Sequence, residues 1–228
     1  MWCSFFVAVC FHFTKGGGRV DNALRTIKEP VTVEFVERRS RFIGVLAPAK
    51  SASQAQEFLS ALRKEHRDAR HVCFAYRTED GAKFSDDGEP AGTAGQPLMQ
   101  VLEHNELQNC VVAVVRYFGG ILLGAGGLLR AYSHTGALAT QAAEIVVMRN
   151  CTVFEIACDY GTYGFVRPLL EQNGTILDST FEENVVLKAA LLPDRVEAIN
   201  AAIVEQSAGR FSGKVTGECL LPFDEKDE

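Results

Sequence analysis

The chain has 228 residues, of which 47% are hydrophobic and 23% are charged, and its formal net charge is −6. This length and apolar content are enough for one large or two modest hydrophobic cores. The acidic balance argues against a protein that binds nucleic acid over its whole surface. The charge is uneven, because residues 149–228 hold 7 basic and 14 acidic side chains, whereas residues 1–148 hold 16 and 15. Any contact with RNA or phosphate is therefore expected in the first part of the chain.

The seven cysteines show no CxxC pair and no Cys/His spacing typical of a metal site. Several of them lie in apolar, strand-like segments, where a free cysteine behaves as a small core residue. Free cysteines in this number are typical of a reducing compartment. We therefore expect a cytoplasmic protein that uses no metal and no cofactor and has no membrane partner.

Residues 1–19 form an extension of unusual composition. Residues 2–13 are apolar, but no basic region precedes them and no small-residue cleavage site follows, so they match neither a signal peptide nor a membrane span. Lys15 is followed by three glycines. A purine-rich ribosome-binding site that is translated in frame would give this sequence, and Val20 would then correspond to an initiating valine codon. We interpret 1–19 as a mis-called or disordered extension, and the first domain as 20–148.

Hydrophobic periodicity predicts an alternation of strands and helices in this first domain. The predicted strands cover 32–37, 41–47, 71–77 and 109–115, and the predicted helices cover 51–66, 96–106 and 125–145. Arg38-Arg39 marks a hairpin turn, and Ser51 is the expected N-cap of the first helix. The residues expected to face the core from the longest helix are Leu128, Leu129, Tyr132, Leu138 and Ala142.

An acidic turn, defined here as residues 84–97, precedes the second helix and reads FSDDGEPAGTAGQP. Its carboxylates Asp86, Asp87 and Glu89 are suited to bind a hard cation such as magnesium. They are equally suited to pair with Arg116 or Arg130 further along the chain, or to form an ordinary solvated turn. Thr93 is the candidate N-cap of the helix that follows, and Pro97 fits the first turn of that helix.

His71 opens the third predicted strand, from which it can reach the acidic turn as a base or as a hydrogen-bond donor. The alternative is an ordinary histidine at the end of a strand, since one histidine without placed partners is weak evidence for catalysis. We group it with the three carboxylates as a second candidate polar site. The chain has no Ser-His-Asp arrangement and no GxSxG elbow, so no catalytic residue is assigned.

A glycine block, defined here as residues 116–132, reads RYFGGILLGAGGLLRAY and contains five glycines. Glycines at this density indicate a close approach of the backbone, and a glycine turn before a helix leaves N–H groups open to an anion. Arg116 and Arg130 add planar donors for carboxylate or phosphate. The spacing fits neither the dinucleotide fingerprint nor the P-loop, and a tight strand-to-helix turn is the alternative. The predicted anion-binding or ligand-binding residues are Arg116, Tyr117, Gly119, Gly120, Gly124, Gly126, Gly127, Arg130, Thr93 and Gly95.

A domain boundary is predicted near 148–151, with residues 149–228 as a second domain. Its predicted strands cover 152–158, 175–181, 185–192 and 214–221, and its predicted helices cover 162–172 and 194–207. This βαββαβ order is the split, ferredoxin-like arrangement. The domain is acidic and has no catalytic constellation, so we expect it to dock a protein partner or to regulate.

The acidic turn and the segment VVRYFGGILLGAGGLLRAY resemble the signature blocks of the YigZ/IMPACT family. The similarity runs from about Val31, through SRFIG (40–44) and ARHVCFAY (69–76), to the end of the chain. The resemblance implies an α+β protein, in which a ribosomal-protein-S5-domain-2-like N-terminal domain, the IMPACT-type domain, is followed by a ferredoxin-like C-terminal domain. It also implies regulation of translation, because the eukaryotic relatives bind a partner that controls a stress-response kinase. For the bacterial relatives it implies no settled biochemical activity.

Two hypotheses follow. In the first, the protein is a ribosome-associated regulator of translation, and its N-terminal domain binds an RNA phosphate or an acidic partner surface. In the second, it is a metal-dependent hydrolase of phosphate or peptide substrates, in which Asp86, Asp87 and Glu89 hold the metal and His71 serves as acid or base. We prefer the first hypothesis, because the sequence supplies no complete catalytic set.

The start of translation is directly testable. If Val20 is the initiating residue, mass spectrometry of the native protein will find an N-terminal peptide that begins at or just after that position. A native peptide that contains Trp2 would refute this interpretation.

Overall fold

The computed structural model describes residues 24–224. Within this range the chain divides into a first compact unit, 24–147, and a second, 148–222. The prediction for residues 1–19 lies outside the described residues. No helix in the described part of the chain is long and apolar enough to cross a membrane.

The first unit is built on a five-stranded antiparallel sheet covered by helices on both faces. The strands of the unit are β1 (Leu24–Ile27), β2 (Val31–Glu37), β3 (Ser40–Pro48), β4 (His71–Thr78), β5 (Gly81–Ser85) and β6 (Cys110–Tyr117), and its helices are α1 (Ala52–Glu65), α2 (Gly95–His104) and α3 (Gly124–Ala142). The sheet has the order β2-β3-β6-β4-β5. Helices α2 and α3 pack on one face and α1 packs on the other.

Strand β6 lies in the middle of this sheet, which explains its unbroken apolar sequence. Its residues are fully buried from Cys110 to Val115, since one face packs on α2 and α3 and the other on α1. A strand buried on both faces has no reason to alternate polar and apolar residues. The sequence analysis predicted a buried strand here on the same ground, and that prediction is confirmed.

Several predictions for the first unit need correction. Strands β1 and β5 were not predicted, because β1 has only 4 residues and β5 is an edge strand with an exposed sequence. The helix predicted over 125–145 ends at Ala142, and Ile145 already begins the next strand. Leu129 is 44% exposed and Ala142 is also exposed, so their predicted inward orientation is wrong. Ser51 does cap α1, since its hydroxyl accepts from the N–H of Gln54 at 3.2 Å.

The second unit has the β-α-β-β-α-β order that the sequence predicted. Its elements are β7 (Ile145–Cys158), α4 (Tyr160–Asn173), β8 (Gly174–Phe181), β9 (Val185–Leu191), a short 3-10 turn (Pro193–Arg195), α5 (Val196–Gln206) and β10 (Lys214–Asp224). Strands β8 and β7 flank β9, and β10 pairs with β7. Phe154 and Ile156 pack with α4 and α5 in a separate core.

The contact between β3 and α3 allows no side chain at Gly44. A Cβ atom there would lie 2.7 Å from Cγ2 of Thr135 and 3.1 Å from its carbonyl oxygen. We expect Gly44→Ala to lower the free energy of unfolding by about 1–3 kcal/mol, as overpacking does. Gly217→Ala is the matched strand control, because a Cβ at that position would meet nothing within 4 Å. Urea unfolding measures both, and equal effects of the two substitutions would contradict this packing.

Candidate functional site around the glycine block

The acidic turn is held in place by Asp86. One carboxylate oxygen accepts the N–H groups of Ala94 at 2.9 Å and Gly95 at 2.8 Å, and the other accepts the N–H of Gly92 at 2.9 Å. Two of these N–H groups lie at the start of α2, so Asp86 caps that helix from outside it. Burial alone raises the pKa of Asp86, but the three backbone donors outweigh it and hold the pKa below its ordinary value.

Thr93 is not the N-cap of α2, and that prediction is wrong. Ala94 occupies the capping position and makes no side-chain cap bond, because Asp86 supplies the acceptor instead. The hydroxyl of Thr93 donates to the carbonyl oxygen of Pro90 at 2.6 Å and so closes the turn before the helix. Gly95 leaves no room for a side chain, since a Cβ would lie 2.6 Å from the backbone of Ser85.

Glu89 and Arg116 form a buried ion pair beneath the acidic turn. Nη1 of Arg116 donates to Oε1 of Glu89 at 2.7 Å, and the hydroxyl of Tyr132 donates to the same oxygen at 2.9 Å. The side chains of Arg116 and Glu89 are only 7% and 3% exposed. Burial raises the pKa of Tyr132 well above its usual range, so its hydroxyl remains a donor. Of the two arginines considered for this carboxylate, the structure selects Arg116.

Arg116 owes its position to the register of the sheet. It lies beside Phe42 of β3 and His71 of β4, and its guanidinium stands 5.6 Å from the Phe42 ring centroid and 5.7 Å from that of Phe118. Its positive charge is thus neutralised by Glu89, and the rings of Phe42 and Phe118 flank its guanidinium group. The predicted contact between Arg116 and a ligand remains a prediction, and it would require this buried ion pair to open.

His71 reaches the acidic turn, as predicted. Its Nδ1 lies 2.8 Å from the carbonyl oxygen of Asp87. A carbonyl oxygen only accepts, so Nδ1 carries the proton and Nε2 faces Glu89. The distance from Nε2 to Oε1 of Glu89 is 4.0 Å, which is beyond a hydrogen bond.

Asp87 connects the turn to α1. One carboxylate oxygen accepts the N–H of Val72 at 2.7 Å, and the other lies 2.6 Å from Nη2 of Arg63. Sequence analysis missed Arg63, because nothing in the pattern of an exposed helix face marks one arginine among several. The carboxylates of Asp86, Asp87 and Glu89 are therefore each engaged by protein donors. Among residues 24–224, no group of three His, Cys, Asp or Glu side chains is arranged to hold a metal ion.

The glycine block leaves β6 and packs against the hairpin turn between β2 and β3. A Cβ at Gly119 would overlap the backbone of Arg39, and the N–H of Gly119 donates to the Ser40 hydroxyl at 3.2 Å. Arg38 and Arg39 adopt positive φ angles of 45° and 67°, as a tight hairpin turn requires. The close approach at Gly119 therefore brings Arg39 of the hairpin turn beside the glycine block.

The start of α3 is open to solvent. Gly120 and Gly124 have positive φ angles of 84° and 70°, which turn the chain into the helix. Leu123 holds the capping position without a side-chain bond, and the first turn of α3 has no acidic residue. Arg130 is exposed and folds back over this turn, since a Cβ at Gly126 would lie 3.7 Å from its Nη1.

Exposed apolar side chains lie in the loop that precedes α3 and in the first two turns of that helix. Leu122 is 82% exposed, and Phe118, Leu129 and Ile121 are 46%, 44% and 40% exposed. Gly127 packs against this loop, because a Cβ there would stand 3.0 Å from that of Leu123. Sequence analysis noted the glycines and arginines here but did not identify the apolar side chains as surface groups.

Tyr117, which ends β6, points to the opposite face of the sheet from Arg116. Its hydroxyl lies 2.9 Å from Nδ1 of His66, and the guanidinium of Arg41 stands 5.8 Å from its ring centroid. Strand alternation separates the two neighbours in this way. The structure therefore groups Arg130 and the glycines on one exposed surface, places Arg116 with His71 and Glu89 beneath it, and sets Tyr117 apart.

Comparison with known proteins agrees with the family resemblance. The Impact N-terminal domain family matches residues 38–140, and the domain of unknown function DUF1949 matches residues 156–210. The chain is 38% identical to an IMPACT family member of Haemophilus influenzae, over 81% of this chain and 92% of that protein. It is 37% identical to IMPACT family member YigZ of Escherichia coli, over 79% and 91%.

Two further matches differ in how much of the chain they cover. Protein IMPACT of Homo sapiens is 39% identical over 100 residues, which is 40% of this chain and 31% of that protein. A solved crystal structure of a hypothetical protein is 33% identical and superimposes with a TM-score of 0.57, covering 91% of this chain and 100% of that chain.

The capping role of Asp86 makes stability depend on pH. The folded pKa lies below the ordinary value of 3.8, so the stabilisation is complete well above that value and is lost as the pH falls through the folded pKa. We expect Asp86→Asn to lower the free energy of unfolding by about 1 kcal/mol at pH 7, and by less near pH 3. Urea unfolding at both pH values measures this. Asp68→Asn, at an exposed carboxylate, is the control, and no deficit at pH 7 in Asp86→Asn would contradict the capping role.

The buried ion pair predicts a large effect at Glu89. Replacing Glu89 by Gln leaves the Arg116 charge buried without a counter-charge, so we expect a loss of about 3 kcal/mol in the free energy of unfolding. Adding Arg116→Met to this variant should recover part of the loss, since no buried charge then remains. Glu144→Gln, in a pair with Lys28 whose side chains are 56% and 48% exposed, should cost far less. Additive losses in the double variant would contradict the coupling.

Proposed function

Because the chain belongs to the IMPACT family, as a YigZ-like member, we propose that it is a cytoplasmic, translation-associated binding protein. Its contact surface, in this proposal, is the exposed part of the glycine block, residues 118–130. The observation that carries the proposal is that this surface combines open backbone N–H groups, arginines and exposed apolar side chains in one place. The family resemblance, which implies translational regulation, supplies the link to the ribosome.

The charge of this surface favours an acidic partner. The sequence contains no Asp or Glu from 107 to 143, so no carboxylate of the chain's own glycine block competes for its N–H groups. Arg130 lies over the first turn of α3, and the backbone of Arg39 borders the loop at Gly119. The positive end of the helix dipole adds to this potential. A carboxylate or phosphate of the partner is the group that these donors fit.

The apolar side chains favour a protein over RNA as the partner. Leu122 is 82% exposed, and a charged phosphate backbone offers no apolar surface against which an exposed leucine can pack. Protein interfaces, in contrast, combine an apolar centre with a polar rim that is enriched in arginine. We therefore infer an acidic protein surface of the translation machinery, with an apolar anchor point for Leu122, and treat an RNA phosphate as the competing outcome of the test.

The hydrolase hypothesis receives less support from the same geometry. A metal-assisted reaction needs carboxylates with free oxygens, whereas Asp86 caps α2, Asp87 binds Arg63 and Glu89 binds Arg116. Burial raises the pKa of Cys73 to about 12, so its thiol is a poor nucleophile at neutral pH. His71 is the remaining candidate for acid or base.

Analogy of fold agrees with a role at the ribosome. We infer that the first unit is ribosomal-protein-S5-domain-2-like and that the second, in which β9 lies between β7 and β8 and β10 pairs with β7, is ferredoxin-like. Such analogies support a function by association only. The second domain, which holds most of the chain's excess negative charge, is in this proposal a docking module for a protein partner.

Co-sedimentation with purified ribosomes tests the proposal. We expect wild type to pellet with ribosomes at low salt, and Leu122→Ser and Arg130→Gln each to weaken binding about 5-fold to 10-fold, the usual range for a central interface contact. Both residues are exposed, so both variants should fold. Lys64→Gln, at an exposed lysine on α1, is the matched control and should bind as wild type does.

The salt dependence separates the two partners. Binding that needs Leu122 and weakens modestly with salt indicates an acidic protein surface. An affinity that is unchanged in Leu122→Ser but falls steeply as the salt concentration rises indicates an RNA phosphate contact. No binding to ribosomes at low or moderate salt would refute the translation-associated function itself.

A further inference from the structure

We propose that an aromatic surface of the second unit, formed by α4 and the end of β8, binds a lysine- and arginine-rich segment of a partner protein. This surface, called here the α4–β8 surface, is centred on Tyr160, Tyr163 and Phe181. The inference rests on the docking role proposed above for the second domain, to which it adds the contact residues and the charge of the partner. It does not involve residues 118–130.

The aromatic side chains come from two elements and are joined to one another. Tyr160 and Tyr163 are three residues apart on α4, so they lie on the same face of that helix. The rings of Tyr163 and Phe181 meet edge to face, and their centroids are 5.5 Å apart. The hydroxyl of Tyr160 donates to the carbonyl oxygen of Glu182, just after β8, at 2.9 Å. The start of α4 and the end of β8 therefore form one continuous surface.

Two of these aromatic side chains are open to solvent. Tyr160 is 55% exposed and Phe181 is 50% exposed. Other residues of α4 supply the core of the unit, among them Val166 and Leu170, which are fully buried. Tyr160 and Phe181 thus do not fill the core, and exposed aromatic side chains that cluster in this way are typical of protein contact surfaces.

Arg167 extends the α4–β8 surface and shows which kind of contact its rings make. The guanidinium carbon of Arg167 stands 5.9 Å from the Tyr163 ring centroid, and its Nη1 donates to the Tyr163 hydroxyl at 2.6 Å. Its Nε donates to a carboxylate oxygen of Glu171 at 2.7 Å, so its own charge is paired. A cation held by an aromatic ring and a carboxylate together is therefore already present within the surface.

The charge around the aromatic rings is negative. Residues 159–184 contain one basic side chain, Arg167, and five acidic ones, which are Asp159, Glu171, Asp178, Glu182 and Glu183. Asp159 and Glu171 are paired with arginines. Glu182 and Glu183 are exposed, and neither forms an ion pair with another residue of the described range 24–224. These two carboxylates, directly after Phe181, attract lysine and arginine side chains of a partner.

The same charge decides between the candidate partners. Glu182 and Glu183 would repel a nucleic-acid phosphate backbone and an anionic membrane surface. A symmetric contact between two copies of this chain would bring these acidic side chains together, because both copies would use the same surface. A basic protein segment satisfies both parts of the surface, since its cations can pair with the carboxylates and pack on the exposed rings.

Fluorescence anisotropy of labelled peptides with the full chain tests the proposal. The probe is a decapeptide in which lysine and arginine alternate with glycine and serine, and the control peptide has glutamate at every basic position. We expect the basic peptide to bind and the acidic peptide not to bind. Phe181→Ser and Tyr160→Ser leave the net charge unchanged, and we expect each to weaken binding about fivefold. Phe84→Ser is the matched control in the first unit, because Phe84 is 47% exposed, and it should have no effect.

A second set of variants tests the carboxylates. We expect Glu182→Gln combined with Glu183→Gln to weaken binding of the basic peptide about tenfold and to reduce its dependence on salt. Glu103→Gln combined with Glu106→Gln removes the same charge from two exposed positions near the end of α2, and it should have little effect. Urea unfolding of each variant checks that the fold is intact.

The proposal is overturned if the basic peptide does not bind at about 1 mM, or if Phe181→Ser and Tyr160→Ser both bind it as wild type does. An equal loss in Phe84→Ser, or in the Glu103 and Glu106 double variant, would also overturn it, because the attraction would then be general. Self-association of the full chain that disappears in Phe181→Ser would assign the surface to a second copy instead. No ribosome is present in these experiments, so their failure is distinct from failure of the ribosome contact.

Discussion

The buried ion pair between Arg116 and Glu89 is the interaction on which the arrangement of the acidic turn and the glycine block depends. It joins the end of the central strand β6 to the acidic turn, and through Tyr132 it joins both to α3. An isolated charge at this depth would cost several kcal/mol. The pair therefore joins the acidic turn and the glycine block, the two most distinctive segments of the sequence, at one point of the sheet.

The two segments have different roles. In the acidic turn, Asp86 and Asp87 bind backbone N–H groups and Arg63, and so hold the turn against α2 and β4. In the glycine block, the glycines allow the chain to pass close to the β2–β3 hairpin, and the start of α3 has no side-chain cap. The carboxylates of Asp86, Asp87 and Glu89 are engaged by donors of the protein itself. The groups that remain for a partner are backbone N–H groups, Arg130 and a few apolar side chains.

This division explains what could be predicted from the sequence and what could not. Periodicity located β6, α1 and the β-α-β-β-α-β order of the second unit, because burial on one or both faces leaves a local pattern. The Asp86 cap and the Arg63–Asp87 pair join residues that are distant in the chain or in different elements, and no local pattern encodes them. The exposure of Leu122 was equally hidden, because an apolar residue among glycines reads as a core residue until the fold places it outside.

In the proposed function, residues 118–130 are the contact surface for the translation machinery. Hydrogen–deuterium exchange of the full chain, with and without purified ribosomes, is the measurement that tests this contact. We expect exchange to slow on binding in peptides that cover 118–130 and the 38–39 turn, while the already buried strand β6 changes little. Protection confined to the second unit, with none at 118–130, would contradict the proposed contact.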